Sequence, residues 1–273
     1  MHRIGIIGFG WLGKPAGIRL RIMNDEVSCI TSSPNRISDI ESVGISATHI
    51  DLNADYSAEL FDWLENKDVV LFAIPPSKLD NYVGVVENIA AMLTENQKMV
   101  FISSTSVYSD NQLVVDETSP LSPSKRSGTT LIDAEHVLYK KLGKRVTIIR
   151  MGGLVGDDRQ PALYFSGKKV VKGGNEATNF IHREDAVHLI FHVIIYEIYG
   201  EIINGVCGGH TPRKIYYPFV LDLMKKETVA FDPTDKNKGK VVSNYKSLQL
   251  GMWYKYDNPM RFPEIVQLMK EKQ

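Results

Sequence analysis

The first 150 residues alternate between short apolar runs and amphipathic stretches. The apolar runs, at residues 3–7, 27–31, 45–50, 68–74, 99–103 and 146–150, have the length of β-strands. The gaps predict a first helix that extends through residue 22 and further helices around residues 35–43, 58–66, 79–95 and 131–142. The nearly continuous apolar run at 68–74 is typical of a strand covered on both faces of a parallel sheet. This alternation predicts an α/β fold with a doubly wound parallel sheet.

A glycine-rich hexapeptide, which we call the glycine loop, joins the first strand to the first helix. It reads Gly8-Phe9-Gly10-Trp11-Leu12-Gly13. A strand that leads through G-x-G-x-x-G into a helix is the context of a dinucleotide-binding fingerprint, with the pyrophosphate at the helix N-terminus. We therefore predict a Rossmann-type sheet with all six residues as cofactor contacts. The alternative is a turn that packs a helix and binds nothing.

The pattern loosens beyond residue 150. Glycine-rich loops at 152–156 and 167–176 surround a predicted helix at 183–196, a strand at 202–206 and a helix around 215–226. We predict a dinucleotide-binding domain over residues 1–150. The segment 151–273 is expected to complete the sheet and to form a small C-terminal substrate lobe.

Ligands of a doubly wound sheet bind outside the carboxyl ends of its strands, so the residues that follow each strand are candidates. Beyond the glycine loop, the predicted cofactor contacts are Thr31, Ser32 and Arg36 after the second strand, Asp51 and Leu52 after the third, Ala73, Ile74 and Pro75 after the fourth, Ser103 in the fifth, and Met151 and Gly152 after the sixth.

The end of the second strand indicates which nucleotide is bound. Many NAD-binding folds place a carboxylate there to hold the ribose 2′-hydroxyl. Here residues 31–36 contain hydroxyls and Arg36 but no carboxylate, which suits the 2′-phosphate of NADP, with NAD as the alternative. Arg36 in a merely solvated loop is the competing interpretation. Asp51 is expected either to meet the adenine base or to serve as a turn carboxylate.

Composition narrows the class of protein. The 273 residues are 43% hydrophobic with a formal net charge of zero, so no bulk attraction to nucleic acid or anionic lipid is expected. The run Lys236, Lys238 and Lys240 is interpreted as a solvated loop. Cys29 and Cys207 are expected to be reduced core residues. With no signal peptide and no apolar run near the ~20 residues that span a bilayer, we expect a soluble cytoplasmic protein. Its partner is expected to be a small-molecule substrate.

The fifth strand ends in Ser103-Ser104-Thr105-Ser106-Val107-Tyr108, which resembles the S-S-x-x-V-Y-G strand of the NAD(P)-dependent epimerase/dehydratase family, the extended short-chain dehydrogenase/reductases. Residues 150–156, 179–185 and 242–251 resemble that family's R-x-x-x-x-x-G, F-I-H-x-x-D and N-x-K…L-G segments. The loop spelling G-x-G-W-L-G and the stretch 211–217 are most similar to its short, atypical YeeZ-like members. The resemblance implies catalytic roles for Ser104 and Tyr108, and substrate contacts by Thr105, Ser106, Gly153 and Asn179.

The family's catalytic Tyr-x-x-x-Lys pair is missing. If Ala134-Glu135 matches the family's A-E, the tyrosine position falls on Ser127 and the lysine position on Leu131. Matching Ser124-Lys125 to the family's S-K keeps the lysine but puts Leu121 where the tyrosine should be. A serine hydroxyl has too high a pKa to replace the activated phenol, so Tyr108 is considered as a substitute or as pocket wall.

Two functions are therefore compatible with the sequence. One is an oxidoreductase or epimerase/dehydratase acting on a nucleotide sugar or similar polar substrate with non-standard acid/base residues. The other is a catalytically silent NAD(P) sensor that regulates a partner. Arg150 is expected to bind an anionic substrate or to pair with a carboxylate, and Asp185 to tether its helix. The spacing of His188 and His192 permits a metal pair, but their apolar neighbours favour packing, and no metal is predicted.

Overall fold

A computed structural model of the chain describes residues 1–23, 25–110 and 113–272. The strands are β1 (Arg3–Ile7), β2 (Glu26–Thr31), β3 (Ser46–His49), β4 (Val69–Phe72), β5 (Lys98–Ser104), β6 (Val114–Val115), β7 (Val146–Met151), β8 (Gly153–Val155), β9 (Val170–Val171), β10 (Phe180–His182), β11 (Ile202–Gly205), β12 (Ala230–Phe231) and β13 (Val241–Val242). The helices are α1 (Gly13–Ile22), α2 (Ile37–Glu41), α3 (Ser57–Glu65), α4 (Tyr82–Met92), α5 (Arg126–Leu142), α6 (Arg183–Ile195), α7 (Arg213–Leu223), α8 (Tyr245–Gln249) and α9 (Pro263–Lys272).

A seven-stranded sheet forms the centre of the fold, in the order β11-β7-β5-β4-β1-β2-β3. The pairs β1–β2, β1–β4, β2–β3 and β4–β5 are parallel. The chain moves outward from β1 to β3 in one direction and from β4 to β7 in the other. Because such crossovers are right-handed, the two directions place helices on opposite faces. The predicted doubly wound α/β fold is confirmed, and its strand order reverses between β1 and β4.

Burial explains why the apolar runs of the sequence predicted the strands. Four residues of β1 and all of β4 are buried, with Ile4, Ile6, Leu71 and Phe72 fully excluded from solvent. Strands covered on both faces need apolar residues at every position, so their runs are continuous.

The helix boundaries differ from the prediction where polar residues begin or interrupt a helix. Helix α5 begins at Arg126, five residues earlier than predicted, because its first turn is polar and carries no apolar periodicity. Helix α4 begins at Tyr82 rather than at residue 79. Asn81 is its N-cap residue, and the Asn81 side chain accepts a hydrogen bond from Gly84 N at 3.2 Å. The predicted helix at 35–43 divides into a 3₁₀ turn, Pro34–Arg36, followed by α2.

The chain divides into two compact units whose boundaries cut across the predicted division at residue 150. Unit 1 contains Met1–Val107, Lys125–Arg150 and Val187–Ile203. Unit 2 contains Tyr108–Ser124, Met151–Ala186 and Asn204–Gln273. Strand β11, which follows residue 150 in the chain, lies beside β7 in the seven-stranded sheet.

Unit 2 has its own core and its own short sheets. Two-residue and three-residue strands pair in parallel as β8 with β10, β9 with β12, and β6 with β13. Its core is aromatic: Phe180, Tyr216, Tyr217 and Phe262 are buried together, and the rings of Phe180 and Tyr216 lie 5.1 Å apart. Large rings compensate for strands too short to bury much apolar surface by themselves.

Both cysteines are free and buried, as predicted. Burial raises the pKa of each thiol to about 12, so the thiols stay protonated at neutral pH. Within the described residues, none of the helices combines the length and the hydrophobicity that crossing a bilayer requires.

Candidate functional site

Two glycines of the glycine loop are required by the fold of unit 1. Gly8 has a φ of +102°, and a Cβ there would lie 2.8 Å from the carbonyl carbon of Ala73. A Cβ on Gly13 would collide with the Gly8 carbonyl oxygen. These two positions therefore hold the turn between β1 and α1 against the end of β4, and no ligand is needed to explain them.

Gly10 is different. It is exposed, its φ is outside the left-handed region, and a Cβ there would have no heavy atom of the described chain within 4 Å apart from its two chain neighbours. The loop keeps its shape through backbone hydrogen bonds from Gly10 N to Gly8 O and from Lys14 N to Gly10 O, each 2.9 Å, which a side chain at position 10 would not disturb. The protein itself gives no reason for a glycine here.

The N-terminus of α1 follows directly and is not neutralised by its own first turn. Leu12 at the N-cap makes no side-chain hydrogen bond, and the first turn contains no acidic residue. The helix itself therefore supplies neither a capping side chain nor a negative charge to offset the partial positive charge of its dipole.

Arg36 reaches from the end of β2 to the glycine loop. Its Nη2 donates to the Phe9 carbonyl oxygen at 2.8 Å, while the Phe9 ring is buried below the loop. The Thr31 hydroxyl, also buried, accepts a hydrogen bond from Ser33 N at 3.2 Å and shapes the turn that carries Arg36. Arg36 is thus attached to the loop rather than merely solvated, and Ser32 beside it is exposed.

The ends of β3 and β4 are joined by a side chain that the sequence did not single out. Asn53 donates through Nδ2 to Lys78 O at 3.2 Å and accepts from Asp80 N at 3.0 Å. Asp51 Oδ1 accepts from Asn53 N at 3.0 Å, which makes it a turn carboxylate, while Leu52 is buried. An asparagine in a loop has no periodicity that would have revealed this link. Ala73, Ile74 and Pro75 follow β4 at the same sheet edge as Gly8.

A buried charged cluster lies under the end of β5. Glu135 on α5 pairs with Arg150 on β7, where Nη2 to Oε2 is 2.7 Å, and both side chains are nearly excluded from solvent. Ser103 Oγ donates to Glu135 Oε1 at 2.5 Å. Carboxylate pairing of Arg150, one of its two expected roles, is confirmed. The hydroxyl of Ser103, predicted as a cofactor contact, is committed to Glu135.

Residues 103–106, which we call the hydroxyl strip because each carries a hydroxyl group, run past the end of β5 into a 3₁₀ turn, Thr105–Val107. Ser104 Oγ accepts a hydrogen bond from Ser106 N at 3.1 Å, and both residues are half-buried, while Thr105 is buried. The Ser104 hydroxyl therefore keeps its own proton available to donate.

Tyr108 lies in unit 2 and is completely buried. Its Oη donates to Asn204 Oδ1 at 2.8 Å, and Asn204 Nδ2 donates to Ser243 O at 3.1 Å. A carbonyl can only accept, so this second bond fixes the orientation of the amide and leaves Oδ1 facing the phenol. The phenol is thereby held as a donor, an arrangement that favours the pocket-wall role over acid/base work.

The other predicted residues of unit 2 are engaged in packing. Asn179 uses both ends of its amide, with Nδ2 donating to Lys240 O at 2.9 Å and Oδ1 accepting from Val242 N at 2.8 Å. A Cβ on Gly152 would lie 2.6 Å from Asn179 O, and Gly153 N donates to that oxygen. Met151 is buried and Gly153 is exposed.

The interpretation of the basic run as a solvated loop is wrong for Lys240. It does not lie in a solvated loop: only 11% of its side chain is exposed, and Nζ donates to Tyr108 O at 2.7 Å and to Asp110 Oδ1 at 2.9 Å. Charge spacing along the sequence could not reveal partners 130 residues away.

Asp185 tethers its helix as expected, accepting hydrogen bonds from the backbone N atoms of Lys255 at 2.8 Å and Tyr256 at 2.9 Å. The ring centroids of His188 and His192 lie 6.3 Å apart. Among the described residues, no group of three or more His, Cys, Asp or Glu side chains could hold a metal.

We predict that Glu135→Ala destabilises the protein by about 3–5 kcal/mol, because it leaves the Arg150 guanidinium buried without its counter-charge. Glu87→Ala is the matched control, since Glu87 forms a more exposed pair with Lys141 at 3.2 Å and should contribute no more than about 1 kcal/mol. The free energy of unfolding in urea gives the comparison. Equal losses in the two variants would contradict a dominant role for the buried pair.

The chain has a known relative by sequence. No protein-family model matches the chain. Protein YeeZ of Escherichia coli K12 is 28% identical over 273 residues, covering 96% of this chain and 99% of YeeZ.

Solved structures agree over almost the whole length. The UDP-N-acetylglucosamine 4-epimerase of Bacillus cereus has a TM-score of 0.78 at 17% identity, covering 99% of this chain and 100% of that one. A short-chain dehydrogenase/reductase superfamily protein of Agrobacterium tumefaciens with bound NAD has a TM-score of 0.73 at 15% identity, covering 99% and 98%. The chain thus has the Rossmann-type fold found in epimerases and short-chain dehydrogenase/reductases.

Proposed function

We propose that this protein binds a nicotinamide dinucleotide over the glycine loop and acts as an epimerase/dehydratase-like oxidoreductase on a polar carbonyl or hydroxyl substrate. The observation that carries the binding proposal is the open space at Gly10. Gly8 and Gly13 are explained by packing, but a glycine at position 10 has a purpose only if something approaches the backbone there. A pyrophosphate at the unneutralised N-terminus of α1 meets that requirement.

NADP is the proposed cofactor, with NAD as the alternative. Arg36 is exposed and makes no ion pair with any described carboxylate, so its remaining N–H donors are available for a 2′-phosphate next to Thr31 and Ser32. The proposed contacts of the nucleotide also include the residues after β3 and β4, from Asp51 and Leu52 to Pro75. Met151 and Gly152 remain proposed contacts.

Ser104 is the proposed hydroxyl for holding a substrate oxygen, because it accepts from Ser106 N and retains its own proton. A nucleotide sugar is the proposed substrate class, as in the Bacillus cereus epimerase. Tyr108 is the proposed proton-transfer residue, and Thr105, Ser106, Gly153 and Asn179 stay proposed substrate contacts.

The second candidate is a catalytically silent NAD(P) sensor. It is favoured by the buried phenol of Tyr108, whose proton is donated to a fixed amide oxygen. A protein with this arrangement could bind the dinucleotide without exchanging protons with a substrate.

Gly10→Val should abolish dinucleotide binding, lowering the affinity by at least about 100-fold, without unfolding the chain. The branched side chain would occupy the path of the pyrophosphate, whereas its Cβ would have no described heavy atom within 4 Å apart from its chain neighbours. Gly13→Val is the control, because its side chain collides with the Gly8 carbonyl and should lower the unfolding temperature. Calorimetry and thermal unfolding separate the two effects. Undiminished affinity in folded Gly10→Val would refute the loop as the binding site.

Titration with NADPH and NADH, followed by the fluorescence of the reduced nicotinamide, tests the proposal as a whole. We expect saturable binding that is tighter for NADPH, together with oxidation of NADPH by one member of a panel of nucleotide-sugar and other carbonyl substrates. Tight binding without turnover of any substrate would favour the sensor. Absence of binding would reject both candidates.

Tyr108→Phe tests the acid/base assignment. If Tyr108 transfers the proton, turnover falls at least ~10²-fold while the cofactor affinity is unchanged. Asn204→Leu is the comparison, since it removes the acceptor of the phenol but keeps the phenol itself. Full activity of folded Tyr108→Phe on an identified substrate would reduce Tyr108 to a wall of the pocket.

A further inference from the structure

We infer that Arg36 is a positioning residue that holds the glycine loop in its binding shape, for NAD as well as for NADP. The inference rests on the proposed dinucleotide site. It differs from phosphate recognition in its consequence: the affinity for a nucleotide that carries no 2′-phosphate should also depend on Arg36.

The hydrogen bond itself is the first support. Arg36 Nη2 donates to the carbonyl oxygen of Phe9 at 2.8 Å, across 27 residues of sequence. Phe9 stands between Gly8 and Gly10, so the bond acts on the backbone next to the exposed Gly10. A charged donor on a backbone carbonyl is among the stronger hydrogen bonds in a protein.

The Phe9 ring supplies the opposite anchor. It is buried, and a Cβ on Gly17 would lie 2.8 Å from Phe9 Cε2, so the ring rests directly on the backbone of α1. The ring fixes the loop from below and Arg36 fixes its carbonyl from the side. Together they leave Gly10 as the exposed point of the loop.

The segment that carries Arg36 is itself preorganised. The Thr31 hydroxyl accepts from Ser33 N at 3.2 Å, Pro34 begins a 3₁₀ turn, and Arg36 N donates to Ser33 O at 3.1 Å. Burial raises the pKa of the Cys29 thiol on β2, and the positive charge of Arg36 opposes that rise. A guanidinium so positioned costs little further ordering when it holds the loop.

One side chain would then couple two parts of the nucleotide. Only one N–H of Arg36 is used by Phe9 O, and the guanidinium has five. The remaining donors can take a 2′-phosphate while the loop presents its backbone to the pyrophosphate. Loss of Arg36 should weaken NADH binding through the loop and NADPH binding through both contacts.

The matched control is Arg21, whose Nε donates to Gly44 O at 3.1 Å. It is also an arginine in unit 1 bonded to a backbone carbonyl, but outside the glycine loop. The test measures the dissociation constants of NADH and NADPH for wild type, Arg36→Ala, Arg36→Lys and Arg21→Ala, together with their unfolding temperatures.

We expect Arg36→Ala to lose about tenfold in NADH affinity and more in NADPH affinity, with no such loss in Arg21→Ala. Arg36→Lys should recover NADH affinity, because one donor suffices for Phe9 O, but not the full affinity for NADPH. An NADH affinity of folded Arg36→Ala within twofold of wild type would overturn the inference and leave Arg36 as a phosphate contact at most.

A measurement without nucleotide separates this inference from the proposed function. Hydrogen exchange at the amides of Gly10 and Lys14, whose hydrogen bonds stay within the loop and the start of α1, should be faster in Arg36→Ala than in Arg21→Ala. If wild type binds neither NADH nor NADPH, the proposed function fails, and the exchange rates still decide whether Arg36 holds the loop. Equal exchange in the two variants would refute it.

Discussion

The approach of the Gly8 backbone to the end of β4 is the constraint on which unit 1 depends. A Cβ at this position would lie 2.8 Å from Ala73 C and 2.9 Å from Ile74 N, and the φ of +102° excludes most side chains as well. The strand order reverses between β1 and β4, so the first turn of the chain has to pass over its neighbour's end. Gly13 then packs on the Gly8 carbonyl and fixes where α1 begins. Once that turn is set, the exposed backbone at Gly10 and the bare N-terminus of α1 follow from it.

The buried pair of Glu135 and Arg150 is a second constraint, because it limits which groups at the end of β5 are available for chemistry. The Glu135 carboxylate accepts hydrogen bonds from Ser103 and from two nitrogens of Arg150, so the charges of Glu135 and Arg150 are paired with each other. One of the two registers considered in the sequence analysis matches Glu135 to the glutamate of the epimerase/dehydratase family. In that register Leu131 occupies the position of the family's catalytic lysine, and Leu131 is buried. Helix α5 therefore presents an apolar side chain where that family has an ammonium group. What remains partly accessible among the hydroxyls of residues 103–106 are those of Ser104 and Ser106.

Sequence reasoning was accurate where the determining interactions are local. The strands of the main sheet and the strand–turn–helix context of the glycine loop were predicted because periodicity and turn residues are written in consecutive residues. It failed where partners lie far apart in the chain: Ser103 and Glu135 are separated by 32 residues, Tyr108 and Asn204 by 96, and Lys240 and Tyr108 by 132. The interleaved units were not predicted either, since the contacts that place Tyr108–Ser124 in unit 2 are with segments far away in the chain. A pattern shows which residues are buried, but not which of them meet.

The hydrogen bond to Asn204 bears on the role of Tyr108 alone. An amide whose nitrogen is bonded to the Ser243 carbonyl cannot turn to donate, so Asn204 can offer the phenol of Tyr108 only an acceptor. An ionised phenol facing that oxygen would lose its partner and gain repulsion, which makes ionisation costly in a fully buried site. A catalytic Tyr108 would have to break from Asn204 during the reaction, whereas a structural one stays as it is. Dinucleotide binding over the glycine loop requires neither, because the residues that favour it belong to unit 1.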